Sequence, residues 1–80
     1  MSIIVNLNDV ETVKRFVDDM RKIECDVDLV KGHYVIDAKS IMGVFSISLD
    51  QPVTARIHSD DEEVIKKFEE LCTKYRVNLS

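Results

Sequence analysis

The chain has 80 residues, 45% of them hydrophobic and 32% charged, with only two Gly and one Pro, which describes one folded domain (1–80) and excludes a disordered or collagen-like polymer. Eleven Lys and Arg scattered among fifteen Asp and Glu leave a net charge of −4, which speaks against direct nucleic-acid binding through a basic stripe. Cys25 and Cys72 form neither a CxxC pair nor a disulfide framework, and each falls at an apolar-periodic position, as a small buried hydrophobe does. With no leader pattern and no apolar run near the ~18 residues of a membrane span, the expectation is a cytoplasmic protein with no membrane partner, no metal and no cofactor.

In chain order, "SIIVNL" (2–7) alternates with Ile3, Val5 and Leu7 on one face, the pattern of a half-buried strand. Asn8 followed by Glu11 reads as a capping box, and Val10, Val13, Phe16, Val17 and Met20 continue at helical spacing. Lys14, Arg15, Asp18 and Asp19 fall on the polar side of this helix, about 9–22. Cys25, Val27 and Leu29 alternate with Asp26 and Asp28. After a turn at Lys31-Gly32, Tyr34, Ile36 and Ala38 alternate with Val35 and Asp37, so these two strands form an antiparallel hairpin.

The stretch "AKSIMGVFS" (38–46) follows, with Ser40 placed to cap a short helix. "VTARIHS" alternates Val53, Ala55 and Ile57 with Thr54, Arg56 and His58, a fourth strand. Ser59 with Glu62 reads as a second capping box opening a helix over about 60–76, striped by Val64, Ile65, Phe68, Leu71, Cys72 and Tyr75. The order β-α-β-β-α-β-α, with half-polar strands and amphipathic helices, predicts an α+β fold. It is a two-layer open-faced sandwich, a four-stranded antiparallel sheet with helices on one face.

Catalytic constellations are scarce. His33 beside the hairpin turn and His58 on the polar side of the fourth strand have no metal-ligand spacing in their own elements and read as surface residues. Two glycines cannot build a phosphate-cradling loop. Ser40 remains. It reads as an N-cap and equally as a phosphorylation site, because a cap can also be an acceptor. Ile41, Met42, Val44 and Phe45 are too many apolar residues for one buried face of a two-turn helix, so part of the patch is expected at the surface.

The segment "AKSIMGVFSISL" resembles the HPr family, the small phosphocarriers of the bacterial sugar phosphotransferase system, in which a Lys-Ser-Ile-Met-Gly-Val segment opens a short middle helix. The similarity runs without gaps from Cys25 to Leu49, and the family shares the element order above. The resemblance implies that Ser40 matches the serine targeted by an ATP-dependent regulatory kinase. It also implies that Ile41, Met42 and Phe45, with Lys39 and Val44 beside them, belong to a partner-docking surface. The partners implied are HPr kinase/phosphorylase or a transcription regulator.

The family carries its phosphoryl group on a His in a Gly-x-His-Ala-Arg-Pro motif before the first helix. Here that region is "VNLNDVETV", with Asp9 nearest the His position and Glu11 nearest the Arg. The departure implies a regulatory member that has lost His-based transfer and is similar to the catabolite repression HPr paralogues, although those keep the Arg. No enzyme activity is expected. The alternatives are a phospho-independent interaction module and a phosphocarrier with a non-standard acceptor.

Overall fold

Period-two alternation decides the sheet. The computed structural model describes residues 1–47 and 49–77, and its elements are β1 (Ser2–Val5), α1 (Val10–Arg21), β2 (Val27–Lys31), β3 (Tyr34–Asp37), α2 (Ile41–Phe45), β4 (Val53–Ile57) and α3 (Glu62–Cys72). The strands form one antiparallel sheet in the order β1-β4-β2-β3. Ile3, Val5, Val27, Leu29, Val53, Ala55 and Ile57 all point to the same side and are buried. The helices cover that side with Val13, Phe16, Val17 and Met20 from α1, Val44 from α2, and Phe68 and Cys72 from α3. The other face is open to solvent and carries the cross-strand row Ser2, Arg56, Asp28, Asp37. This is the expected open-faced α+β sandwich with the expected element order.

Local details differ from expectation where two good capping residues compete. Asp9, not Asn8, caps α1: its Oδ1 accepts from the Thr12 amide at 2.7 Å. Glu11 then stands one residue too early to close a capping box. Similarly Asp61, not Ser59, caps α3, accepting from the Glu63 amide at 2.9 Å, while the Ser59 hydroxyl accepts from the Asp61 amide one step outside the helix. The hairpin turn is Gly32-His33 rather than Lys31-Gly32, and Gly32 adopts φ 58°, a conformation that suits a residue without Cβ. Tyr34, expected on the inner face, is exposed, because edge strand β3 runs past the helices there. Cys25 is only half-buried, whereas Cys72 is fully buried and its thiol is pushed up to about 12 by desolvation and by the Asp19 charge.

Asp19 is the largest departure. Expected on the polar side of α1, it is 4% exposed. Helix α3 stops at Cys72 rather than near residue 76, and Tyr75 folds back in the following turn. Its hydroxyl donates to Asp19 Oδ2 at 2.6 Å and its ring meets Phe16 edge-on, centroids 5.3 Å apart. Lys74 and Lys22 complete the pairing at 2.9 and 3.2 Å. Burial pushes the Asp19 pKa up, but the hydrogen bonds from Tyr75, Lys74 and Lys22 outweigh it, and the carboxyl sits below its ordinary value. Burial and the same carboxylate push the Tyr75 phenol well above its ordinary value. Past Tyr75 the chain bridges β1: the Asn6 amide donates to the Tyr75 carbonyl at 2.8 Å and the Val77 amide to the Ile4 carbonyl at 3.0 Å. That closes one edge of the sheet.

Candidate functional site at the start of the short helix

The turn from β3 into α2 is built by short-range hydrogen bonds. The Asp37 carboxylate accepts from the Lys39 amide at 2.9 Å, and the Asp37 carbonyl accepts from the Ser40 amide at 3.1 Å. Ser40 has extended backbone angles, φ −102° and ψ 109°, and its Oγ accepts from the Gly43 amide at 3.2 Å. It is the N-cap of α2, as its position before the apolar run implies. At the other end the Ser46 hydroxyl donates to the Gly43 carbonyl at 2.6 Å and closes the last turn.

Gly43, which spoils both strand and helix propensity, has a steric reason. A Cβ there would stand 2.8 Å from the Cγ2 of Ile36 and 3.2 Å from Ser40 Oγ. Glycine lets α2 lie directly on β3. This close seating divides the apolar patch. Val44 is fully buried, Ile41 is half-buried, and Met42 and Phe45 are 77% and 40% exposed. Val44 therefore does not belong to a docking surface: it is the one fully buried residue of the helix, while Ile41 packs against the core from a half-buried position. A shallow depression lined by Gly32, His33, Tyr34, Ser46 and Ile47 adjoins the exposed end of the helix.

Lys39 is half-buried, and its ammonium donates to the Ile23 carbonyl at 2.6 Å just past α1. The last turn of α1 answers with Arg21, whose Nε donates to the Lys39 carbonyl at 3.0 Å. Neither bond is legible in the sequence, since each joins residues 16 to 18 apart whose pairing depends on how α1 packs beside α2. The only signal is a basic residue in a helix's last turn, a common placement that the macrodipole explains alone.

Asp9 lies at the far end of α1, roughly 18 Å away for a twelve-residue helix. It is exposed and engaged as a cap, and its carboxyl is held below the usual value chiefly by the hydrogen bond from the Thr12 amide. His33 occupies the hairpin turn. His58 is exposed, yet it is paired: its Nε2 lies 2.5 Å from Asp28 Oδ2 on the open face of the sheet, and Arg56 Nη2 is 3.8 Å from the same oxygen. That pairing spans 30 residues and leaves no local trace in the sequence. Asp26, Asp28, Asp37 and His58 line a second depression, on the open face of the sheet, but among the described residues no group of three or more His, Cys, Asp or Glu is placed to hold a metal ion. Among the described residues no helix is long and apolar enough to cross a membrane.

Comparison with known proteins bears on this arrangement. The family model described as "PTS HPr component phosphorylation site" matches residues 10–74, beginning just past the Asp9 cap. Among solved structures, a phosphocarrier protein HPr from Bacillus anthracis is similar with a TM-score of 0.71 and 23% identity over 95% of this chain and 94% of that one. An HPr protein (HPr-C-His) from Thermoanaerobacter tengcongensis aligns with a TM-score of 0.70 and 24% identity over 90% of each chain. The catabolite repression protein Crh from Bacillus subtilis aligns with a TM-score of 0.62 and 27% identity over 92% of this chain and 87% of that one. No curated protein matches the chain.

Proposed function

The chain belongs to the HPr family of the sugar phosphotransferase system, and within that family we propose that it is a regulatory member, switched by phosphorylation of Ser40 and read by protein partners at α2. The observation that carries this reading is the division of α2. A half-buried hydroxyl caps the helix, while Met42 is largely exposed and Phe45 40% exposed on the same helix. Exposed Met and aromatic side chains next to a modifiable hydroxyl suit a surface whose affinity depends on charge. Ile41 forms the half-buried margin of this surface. HPr kinase/phosphorylase and a transcription regulator are the partner classes that the family suggests.

In the proposed reaction Ser40 Oγ loses its proton and takes the γ-phosphoryl group of ATP, with ADP leaving. Transfer from phosphoenolpyruvate through a histidine finds no support at the start of α1, where Asp9 is committed to its cap and Glu11 adds a second negative charge. An incoming phosphoryl donor would meet two anions, answered only by the more distant charge of Arg15 among the described groups that act on Asp9.

The test treats the protein separately with an HPr kinase plus ATP and with enzyme I plus phosphoenolpyruvate, and weighs the product. The expected result is one phosphate from the kinase only, absent in Ser40→Ala. No gain from the kinase would leave a phospho-independent docking module. A gain from phosphoenolpyruvate would overturn the reading of the α1 start and favour a phosphocarrier with a non-standard acceptor.

A further inference from the structure

The charges around Ser40 come from two elements. The β3–α2 link supplies Lys39 and Asp37, and α1 supplies Arg21. Each has a different degree of freedom. The Lys39 ammonium is tied to the Ile23 carbonyl at 2.6 Å in a part-buried position. The Asp37 carboxylate is tied to the Lys39 amide. Arg21 is exposed, and its Nε bond to the Lys39 carbonyl brings the guanidinium to the peptide group that joins Lys39 to Ser40. Among the described residues its two terminal nitrogens make no hydrogen bond and no ion pair. An arginine has five N–H donors in a planar fork, so the four on its terminal nitrogens are left without a partner among the described residues.

We infer that Arg21 is the intramolecular counter-ion of phosphorylated Ser40, pairing the phosphoryl oxygens with its free terminal nitrogens and thereby linking the end of α1 to the start of α2. This rests on the reading of Ser40 as a phosphorylation site. A phosphoserine brings about −1.5 to −2 charges and three acceptor oxygens. It arrives next to one carboxylate, Asp37, which opposes it, so a nearby cation with free donors decides whether the modified link is held or repelled. A guanidinium fits better than an ammonium because it can donate two parallel N–H bonds to a phosphoryl group. The Nε bond to Lys39 already fixes the base of the fork, so little side-chain freedom remains to be lost on pairing. Phosphorylation then has a structural readout: it fastens α2 to α1 through Arg21, while Met42 and Phe45 stay outward on the same helix.

Phosphoserine placed at position 40 during translation makes the test independent of any kinase. A ³¹P titration of this chain and of the Arg21→Gln and Arg21→Lys variants reads the second ionisation of the phosphate. The native chain is expected to titrate about half a pH unit below Arg21→Gln, a shift modest because the pair is exposed, with Arg21→Lys in between. The side-chain Nε resonance of Arg21 should also move on phosphorylation of the native chain, a readout that needs no variant to fold. Coincident titration curves together with an unmoved Arg21 resonance would overturn the inference. A kinase that fails to modify Ser40 would instead count against the proposed function, and the Arg21 titration would still stand or fall by itself.

Discussion

Helices α1 and α2 start with the same local device and opposite surroundings. In each, a side-chain oxygen of the N-cap accepts from the amide three residues on: Asp9 from Thr12 at 2.7 Å, Ser40 from Gly43 at 3.2 Å. Asp9 brings its own negative charge, so the positive end of α1 is already answered, and Glu11 adds another anion. Ser40 is neutral, α2 has no acidic residue in its first turn, and Arg21 and Lys39 stand nearby. These surroundings govern where an added phosphoryl group is tolerated. A start that already holds a carboxylate opposes such a group, whereas a neutral cap near a guanidinium with free terminal nitrogens opposes it less. The start of α1 is a charged cap and the start of α2 a neutral one, and the proposed phosphorylation is assigned to the neutral one.

The strongest way to break the contrast is to lift α2 from its seat. Gly43→Val puts a branched side chain where even a Cβ lies 2.8 Å from Ile36 Cγ2, an atom carried on a stiff β-branched χ1. The expected loss is about 2–3 kcal/mol in urea unfolding, from overpacking. Gly43→Ala combined with Ile36→Ala should cost less than the sum of the two separate losses, because the smaller side chain relieves the clash. If Gly43→Ala were stabilising, as helix propensity by itself predicts, the close seating of α2 on β3 would be wrong.

Next in size is the anchor near the C-terminal end of α1. Tyr75→Phe removes the 2.6 Å bond to Asp19 and leaves a nearly buried carboxylate one donor short. The expected cost is about 1–2 kcal/mol. Since Asp19 lies two residues before Arg21, the same change should loosen the α1 end that serves Ser40 and leave the Asp9 end intact. Amide exchange should therefore quicken around Met20 to Ile23 before it quickens around Val10 to Val13. Uniform acceleration along α1 would show that the helix responds as a whole.

The contrast between the two helix starts is partly legible in the amino-acid sequence. The alternation of Val53, Ala55 and Ile57 and the stripe through Phe16 and Phe68 specify the sheet and its covering helices, because burial follows period-two and period-3.6 patterns closely. Ser40 is legible as a cap since a Ser before an apolar run is a local signal. Asp9 and Asp61 do not stand out because each has a second capping residue one or two positions earlier, and only the path of the incoming chain chooses between them. Asp19, Arg21 and the His58–Asp28 pair are beyond reach for a different reason: their partners lie 56, 18 and 30 residues away, and packing alone brings them together. Val44 falls with its neighbours in the expected docking surface because apolar character does not say which side of a five-residue helix turns inward.

Removing the cap of α2 is a smaller perturbation than Tyr75→Phe or Gly43→Val. Ser40→Ala loses one part-buried hydrogen bond and should cost about 1 kcal/mol at neutral pH. Ser40→Asp should recover most of it, since Asp is as good a cap and its charge would face Arg21. A larger loss in Ser40→Asp than in Ser40→Ala would mean that Asp37, not Arg21, dominates the field at this position.

The finest distinction between the two helix starts is their response to acid. The Asp9 carboxyl is held below its ordinary value of 3.8, chiefly by the hydrogen bond from the Thr12 amide, while a serine hydroxyl does not titrate. A depressed folded-state pKa means that the unfolded chain takes up the proton first as the pH falls. The stability that Asp9's charge contributes is therefore present above its unfolded value and is lost as the pH drops through the lower folded value. Asp9→Asn keeps a capping oxygen and removes that titration. The gap in stability between the native chain and Asp9→Asn should be small at neutral pH, should shrink as the pH falls past the unfolded value, and should close once the pH is below the lowered folded value. The gap for Ser40→Ala should stay constant over the same range. Asp19, also depressed, titrates in every one of these chains and cancels from both differences. Urea unfolding at a series of pH values reads both gaps. A Ser40→Ala gap that closed in acid alongside the Asp9→Asn gap would mean that the α2 start depends on a nearby carboxylate, with Asp37 the candidate, and the two caps would no longer differ in kind.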